Sequence, residues 1–232
     1  MIIDKNKKCK ILIVSAHPDD EVLGCGATIA KHVSYNHEVF CISLTDGVRG
    51  RSFSKKEISF RSNAFSRCAK YLGFKVVNIK GRKFKDQRLD NYNFLDVVKV
   101  IEKAKKLIDP DIVYTHSMSD LNMDHRISAE ATFVAFRPKS LSKFTTLISY
   151  EVPSATDYGK KIIYPPFLPN FFVNINNFFK KKIEALKIYE KEILDYPNSR
   201  SIKSIEALAI LRGSQNGIKL AEAFEIIKII DR

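Results

Sequence analysis

The sequence contains no apolar run that approaches the roughly 20 residues a helix needs to cross a membrane. The aliphatic run at 11–14 stops at His17 and Pro18. Lysines at positions 5, 7, 8 and 10 resemble the start of a secretion signal, but the apolar stretch behind them is too short and lacks a cleavage site. We therefore expect a cytoplasmic protein without a transmembrane helix.

Cysteines are few and widely separated. The chain has four, with no C-x-x-C pair, so we expect small buried hydrophobic residues and no disulfide framework. Positive charge is abundant instead, and a formal net charge of +13 favours an anionic partner. The interleaved aromatic and basic residues of nucleic-acid-binding modules are absent. The sequence therefore predicts no nucleic-acid partner.

Apolar runs alternate with segments of helical period over the first two thirds of the chain. The predicted strands are 11–15, 38–44, 75–79, 112–116 and 145–151. The predicted helices between them are 21–33, 55–72, 94–108 and 125–136. This alternation predicts an α/β fold with a Rossmann-like, mostly parallel sheet flanked by helices.

The last third of the chain has a different pattern. Prolines at 153, 165, 166 and 169 punctuate a loop-rich stretch, which an aromatic, strand-like segment at 171–175 follows. Apolar spacing then predicts helices at 177–194, 201–211 and 219–230. We expect one domain over 1–232, with a core at 9–152 and a helical C-terminal extension at 153–232.

Three consecutive acids, Asp19, Asp20 and Glu21, follow the first predicted strand. One acid could cap the helix that begins near Glu21, but capping needs only one. Three acids repel one another unless a cation is present. Ligands of parallel sheets bind beyond the carboxyl ends of the strands, which is where these acids lie. His17 and Asp20 can offer a nitrogen and an oxygen ligand from one turn, and this combination suits zinc.

The fourth predicted strand ends at His116, and its loop contains Asp120, Asn122, Asp124 and His125. Loops after neighbouring parallel strands meet at one edge of the sheet, so Asp124 and His125 can reach the first cluster. Two histidines and one carboxylate leave a coordination position open, as in hydrolytic zinc sites. The same ligands accept Fe²⁺ or Co²⁺.

Two motifs resemble a known family. The first is AHPDDE at 16–21 with G-x-G-A at 24–27, and the second is D-x-N-x-D-H-R at 120–126. Together they resemble the PIG-L/LmbE-like family of zinc-dependent de-N-acetylases, and weaker matches along the chain resemble its surface-polysaccharide branch. The resemblance implies hydrolysis of the acetamido group of an N-acetylated amino sugar, such as an N-acetylglucosamine derivative, to acetate and a free amine. We expect this substrate to be anionic or phosphate-bearing, with a nucleotide or lipid as its carrier.

The resemblance also implies roles for individual residues. His17, Asp20 and His125 would hold Zn²⁺, and Asp19 would be the general base toward a zinc-bound water. The chemistry agrees, because water on zinc loses a proton near neutral pH and a neighbouring carboxylate can accept it. Asp124 would orient an imidazole.

Asn122 departs from the family pattern, in which many members have a histidine at this place. An amide can donate a hydrogen bond to an oxyanion but cannot act as a general acid. The general acid therefore stays open among His116, Asp120 and Asp19. We favour Asp19, because it could return to the leaving amine the proton that it took.

Four residues are expected to bind the substrate: Arg61, Asp86, Asp120 and Glu151. The family often has a glutamate three residues after the arginine, but this chain has Ala64 there, which weakens the expectation of a salt-bridged Arg61. Asp86 resembles a family acid that binds ring hydroxyls, and Glu151 ends the fifth predicted strand at the same edge. Five other arginines could meet a phosphate or be ordinary surface charge: Arg49, Arg51, Arg82, Arg88 and Arg200.

Three other functions stay open. A deacetylase of a small glycosylated thiol precursor fits the same motifs. A non-catalytic relative that binds sugar is disfavoured by the retained ligands and by Asp19, and a nucleic-acid-binding module would rest on the basic charge alone. The sequence gives no indication of the oligomeric state.

Overall fold

The computed structural model describes residues 2–50, 54–79, 84–138, 143, 145–159 and 165–230. These residues form seven strands and six helices. The elements of the first part are β1 (Lys10–Ser15), α1 (Asp20–Ser34), β2 (Glu38–Ser43), α2 (Lys55–Leu72), β3 (Lys75–Val76), α3 (Phe94–Ile108), β4 (Ile112–His116) and α4 (Met123–Ala135). The elements of the second part are β5 (Thr146–Tyr150), β6 (Phe171–Asn174), α5 (Phe179–Lys187), α6 (Ile202–Ser214) and β7 (Ala221–Lys228).

The strands make one sheet in the order β3-β2-β1-β4-β5-β7-β6. The first five strands in this order are parallel, and β7 runs antiparallel to both of its neighbours. This confirms the predicted α/β class with a mostly parallel sheet. Because β1 and β4 are adjacent and parallel, the loops that follow them leave the sheet at the same edge.

Hydrophobic layers cover both faces of the sheet, as buried parallel strands require. Alternate residues of β1 point to opposite faces, with Ile11 and Ile13 in one core and Leu12 and Val14 in the other. Helices α1, α2, α5 and α6 contribute to the first core, and α3 and α4 to the second. None of the described helices is both long and apolar enough to cross a membrane.

The C-terminal region differs most from prediction. The helix predicted at 219–230 is wrong, since Ala221–Lys228 is the strand β7. The apolar residues at 221, 223, 224 and 226 fit the period of a helix or of a strand. The segment forms a strand because β7 pairs with β5 on one side and with β6 on the other. The helix predicted at 177–194 is α5 followed by a 3₁₀ turn at Glu190–Glu192, and the strand predicted at 75–79 is shortened to Lys75–Val76.

Both β6 and β7 lie within the predicted C-terminal extension, yet they complete the same sheet as the core strands. The division of the chain into a core and an extension stays a prediction.

Candidate metal centre and substrate cavity

Two loops meet at the carboxyl edge of the sheet and bring three side chains together. His17 follows β1, Asp20 begins α1, and His125 lies in the first turn of α4. His17 Nδ1 lies 3.1 Å from His125 Nε2 and 3.2 Å from Asp20 Oδ2, and His125 Nε2 lies 3.4 Å from Asp20 Oδ1. All three residues are buried. The structure thus brings together the three residues predicted to hold a metal.

The orientation of His125 is set by Asp120. Asp120 Oδ2 accepts a hydrogen bond from His125 Nδ1 at 2.9 Å and one from Thr156 Oγ1 at 3.0 Å, while its Oδ1 accepts from the backbone nitrogen of Asn122 at 2.9 Å. A proton held on Nδ1 leaves the lone pair of His125 on Nε2. That lone pair faces His17 and Asp20.

His17 is held in the complementary way. Its Nε2 lies 3.1 Å from Asp124 Oδ2 and 3.0 Å from Asp86 Oδ1. Asp124 is itself fixed, because its Oδ1 accepts a hydrogen bond from the backbone nitrogen of Leu89 at 3.0 Å. A proton on Nε2 leaves the lone pair of His17 on Nδ1, which faces His125. Asp124 therefore orients an imidazole, that of His17 rather than that of its neighbour in sequence.

The three groups fit a divalent cation. Burial alone would lower the pKa of His125, but Asp120 and Asp20 outweigh it and raise that pKa to about 9. Burial also opposes the charge on His17, yet Asp20, Asp124 and Asp86 raise its pKa well above the usual value. Two protonated rings would direct N–H groups at each other across 3.1 Å. One cation on both lone pairs and on Asp20 replaces the two protons, and nitrogen and carboxylate ligands suit zinc.

His116 lies behind this cluster. Its ring stacks on that of His125 with centroids 3.9 Å apart, and its Nε2 accepts a hydrogen bond from the backbone nitrogen of Ala16 at 2.9 Å. Burial, and next the charge on His125, lower the pKa of His116 to about 4. His116 is therefore neutral near pH 7, and this disfavours it as the general acid.

Asp19 has a strained backbone beside the cluster. Its φ of 124° is rare for a residue with a side chain and is of the kind that collects at functional sites. Its backbone nitrogen donates to Glu21 Oε2 at 2.9 Å, and Glu21 Oε1 accepts from the hydroxyl of Tyr189 at 2.5 Å. Glu21 thus serves the start of α1. Burial raises the pKa of Asp19, against the opposing charge of Arg61.

A cavity of about 420 Å³ opens beside His17 and Asp19. Its walls include four of the residues predicted for catalysis or substrate binding, namely Asp19, Arg61, Asp86 and Asn122. Asn122 caps α4 with Oδ1, which accepts from the backbone nitrogen of Asp124 at 2.9 Å. The amide nitrogen of Asn122 takes no part in this cap, and the residue lines the cavity.

Two residues predicted to bind substrate have other contacts. Glu151 lines a neighbouring cavity, and Arg212 holds both of its oxygens at 2.9 and 2.7 Å. The strand ends at the expected edge, but the side chain turns to α6. The oxygens of Asp120 both accept bonds from protein donors, which favours a role in orienting His125.

Arg61 is salt-bridged, contrary to what Ala64 suggested. Its Nη2 lies 3.1 Å from Asp19 Oδ2, and its Nη1 lies 2.6 Å from Glu192 Oε1. Glu192 thus provides a partner from the C-terminal region. No sequence signal marks Glu192, which falls inside a predicted helix.

Of the other arginines, Arg200 reaches the cavity, where its Nη1 lies 3.3 Å from Asp19 Oδ2. Arg49 pairs with Asp46 at 3.3 Å and Arg88 is exposed. Arg51 and Arg82 lie outside the described residues.

Comparison with known proteins places this chain in a family. The sequence profile of the PIG-L family, described as GlcNAc-PI de-N-acetylase, matches residues 12–136. The chain is 26% identical over 196 residues to the probable N-acetyl-alpha-D-glucosaminyl L-malate deacetylase 2 of Bacillus anthracis. This alignment covers 81% of this chain and 83% of that protein. It is 26% identical over 232 residues to the diacetylchitobiose deacetylase of Thermococcus kodakarensis, covering 94% of this chain and 83% of that protein.

Solved structures share the fold. The N,N'-diacetylchitobiose deacetylase of Pyrococcus horikoshii superposes with a TM-score of 0.74 at 20% identity, over 96% of this chain and 85% of that one. GalB, the 4-carboxy-2-hydroxymuconate hydratase of Pseudomonas putida, superposes with a TM-score of 0.75 at 19% identity, over 97% of this chain and 99% of that one. The fold therefore carries more than one reaction, and the site must decide between them.

Fold and site define an α/β protein with a buried His, Asp and His cluster at the rim of a parallel sheet. With a profile match over more than half of its length, the chain belongs to the PIG-L family. The resemblance drawn from the two motifs is confirmed.

Proposed function

We propose that this protein is a zinc-dependent hydrolase that removes the acetyl group from an N-acetylated amino sugar. The single observation that carries this is the convergence of two imidazole lone pairs and the carboxylate of Asp20 beside Asp19, at the wall of an open cavity. Family membership supports deacetylation of sugar-like substrates. The metal and the mechanism are our inference from the side chains.

His17, Asp20 and His125 would hold the cation. When bound, a zinc ion would supply a Lewis acid for the amide oxygen and would make water more acidic, and Fe²⁺ or Co²⁺ could take its place. Asp120 and Asp124 keep the two rings in the tautomers that this requires. They do so from outside the ligand set.

Asp19 is the general base in this proposal. It takes a proton from the attacking water while the new C–O bond forms, and it returns that proton to the amine nitrogen as the C–N bond breaks. Arg61 and Arg200 hold its Oδ2 at 3.1 and 3.3 Å, which fixes the carboxylate. The amide nitrogen of Asn122 donates a hydrogen bond to the oxyanion. Asp19 acts twice, because His116 and Asp120 are committed to contacts within the protein.

The substrate is proposed to be an N-acetylated sugar with an anionic or phosphate-bearing substituent, and Asp86 and Arg61 line the cavity that would receive it. A small glycosylated acid is a second candidate, favoured by the similarity to the probable N-acetylglucosaminyl malate deacetylase. The cytoplasmic location stays a prediction.

A substrate panel tests the proposal. N-acetylglucosamine, diacetylchitobiose, N-acetylglucosaminyl malate and nucleotide-linked N-acetylglucosamine are incubated with the zinc-loaded protein, and acetate and free amine are measured. We expect stoichiometric release from at least one substrate, loss after chelation and recovery with added Zn²⁺. Asp19→Asn should keep the metal and lose about 10²- to 10⁴-fold in kcat, the range for a general base.

Asp90→Asn, a change at an exposed position, is the matched control. Full activity in a metal-loaded Asp19→Asn protein would contradict the assignment of Asp19 as general base. Absence of acetate release from every substrate would contradict the proposed deacetylase activity.

A further inference from the structure

Four charged side chains form an ion network at the cavity wall. Arg61 lies between Asp19 and Glu192, at 3.1 and 2.6 Å, and Arg200 lies between the same two acids, at 3.3 and 3.7 Å. Within this set of four described side chains, two positive charges face two negative charges. Asp19 has a role in the reaction proposed above, whereas Glu192 has none.

Arg61 retains a donor that the network does not use. Its Nε is buried and has no hydrogen-bond partner among the described residues. Beside it lies Gly47, where a Cβ would stand 3.2 Å from that Nε and 2.7 Å from Pro18 Cδ. Gly47, with φ of 69°, lets the backbone pass close to Arg61, where a Cβ would meet Pro18 and the guanidinium.

The two arginines and Glu192 differ in how they are anchored. Arg61 lies within α2, with its guanidinium 5.7 Å from the ring centre of Tyr189. Arg200 is tied by its Nε to Ser154 Oγ at 2.5 Å. Glu192 ends a single 3₁₀ turn between α5 and α6. A short turn is displaced at less cost than a helix residue.

We infer that Arg61 and Arg200 bind an oxyanion group of the substrate, phosphoryl or carboxylate, and that Glu192 occupies this position when substrate is absent. This inference rests on the proposed function and specifies the substituent that the substrate sugar carries. An incoming anion that replaces Glu192 keeps the charge balance and gains charge-assisted hydrogen bonds from both guanidinium groups. A neutral substrate leaves Glu192 in place and gains no charge-assisted hydrogen bond from either guanidinium group.

Three derivatives of one sugar test the inference. N-acetylglucosamine 1-phosphate and methyl N-acetylglucosaminide differ at the anomeric substituent, and a carboxymethyl glycoside separates carboxylate from phosphate recognition. With the zinc-loaded protein we expect kcat/KM to favour the anionic glycosides by about tenfold. Glu192→Gln removes the competing charge and keeps the shape. It should lower the KM for the anionic substrates about fivefold relative to the KM for the neutral one.

Glu190→Gln on the same turn, at an exposed position, is the matched control and should behave as wild type. Arg200→Gln should raise KM for the anionic glycosides more than for the neutral one. Equal changes for both substrate types in Glu192→Gln, or a wild-type protein that does not discriminate between them, would overturn the inference.

Failure of the proposed function is separable from failure of this inference. If no glycoside releases acetate, calorimetric binding of the phosphate and methyl glycosides to wild type and Glu192→Gln still compares their affinities. Preferential binding of the phosphate, strengthened by Glu192→Gln, supports the oxyanion position. Equal affinities for the two compounds would contradict the inferred oxyanion position, even if acetate is released.

Discussion

Each histidine of the candidate metal centre has one ring nitrogen next to a carboxylate outside the ligand set. Asp120 holds Nδ1 of His125 at 2.9 Å, and Asp124 holds Nε2 of His17 at 3.1 Å. These contacts choose the tautomers, so the metal-facing nitrogens carry lone pairs. Without them, each ring would spend part of its time with a proton toward the cation.

Asp120→Asn is therefore expected to weaken zinc binding by about 10- to 100-fold, because the amide cannot stabilise the N–H of His125 as a carboxylate does. Competition with a chromophoric chelator measures the dissociation constant. Asp90→Asn serves again as the control, since its side chain is exposed. Unchanged zinc affinity in Asp120→Asn would show that the contact does not set the ring.

At the scale of elements, α1 is a helix with a break. Cys25 has non-helical angles, with φ of −143° and ψ of 25°. Lys182 Nζ donates to the carbonyl of Leu23 at 2.8 Å, and Glu222 accepts from the backbone nitrogens of Ala27 and Thr28 at 3.1 and 2.7 Å. The pair therefore satisfies backbone groups that the break leaves unbonded. The turn that carries Asp20 thus depends on α5 and β7.

Lys182→Met should destabilise the fold by about 3–5 kcal/mol, because it leaves Glu222 buried and without its cation, 2.7 Å away in the wild type. Urea unfolding measures the change. Lys180→Met, at an exposed position of the same helix, should be close to neutral, and adding Glu222→Gln to Lys182→Met should recover part of the loss. A small effect of Lys182→Met would mean that the pair contributes little to the break.

At the scale of the whole molecule, a chain of hydrogen bonds ties the N-terminal segment to the sheet. The hydroxyl of Tyr114 on β4 lies 3.0 Å from His32 Nε2, and His32 Nδ1 lies 2.8 Å from His37 Nδ1. His37 Nε2 donates to the carbonyl of Asp4 at 3.0 Å. Every link has one donor and one acceptor when His32 is neutral, and a proton added to Nε2 of His32 would displace the hydrogen bond that the Tyr114 hydroxyl donates to it.

Burial, and next the neighbouring His37, lower the pKa of His32 to about 3. The unfolded chain binds this proton near pH 6.5, so stability is retained above that pH and falls as the pH drops from 6.5 toward 3. The loss at pH 5 should be about 2 kcal/mol from this residue.

His32→Gln should be less stable at pH 7 but should lose less stability between pH 7 and pH 5 than the wild type. Urea unfolding at both pH values gives the two slopes, and metal loss in acid affects both proteins alike. Equal slopes would contradict the assignment.

The sequence by itself determined the parallel part of the sheet and the meeting of His17, Asp20 and His125. The physical reason is that strand ends are local signals. A buried aliphatic run followed by polar residues marks where a strand stops, and neighbouring parallel strands bring such ends to one edge.

Only the tertiary structure decided which distant groups complete the cavity. Glu192 and Arg200 meet Arg61 and Asp19 across more than 130 residues, and no local pattern in the sequence indicates these contacts. The tertiary structure also decided the conformation of β7. Its apolar spacing is compatible with a helix, but the edge of β5 provides hydrogen-bond partners for a strand. Glu151 likewise turned to Arg212, because a carboxylate at a strand end takes the cation that packing brings to it.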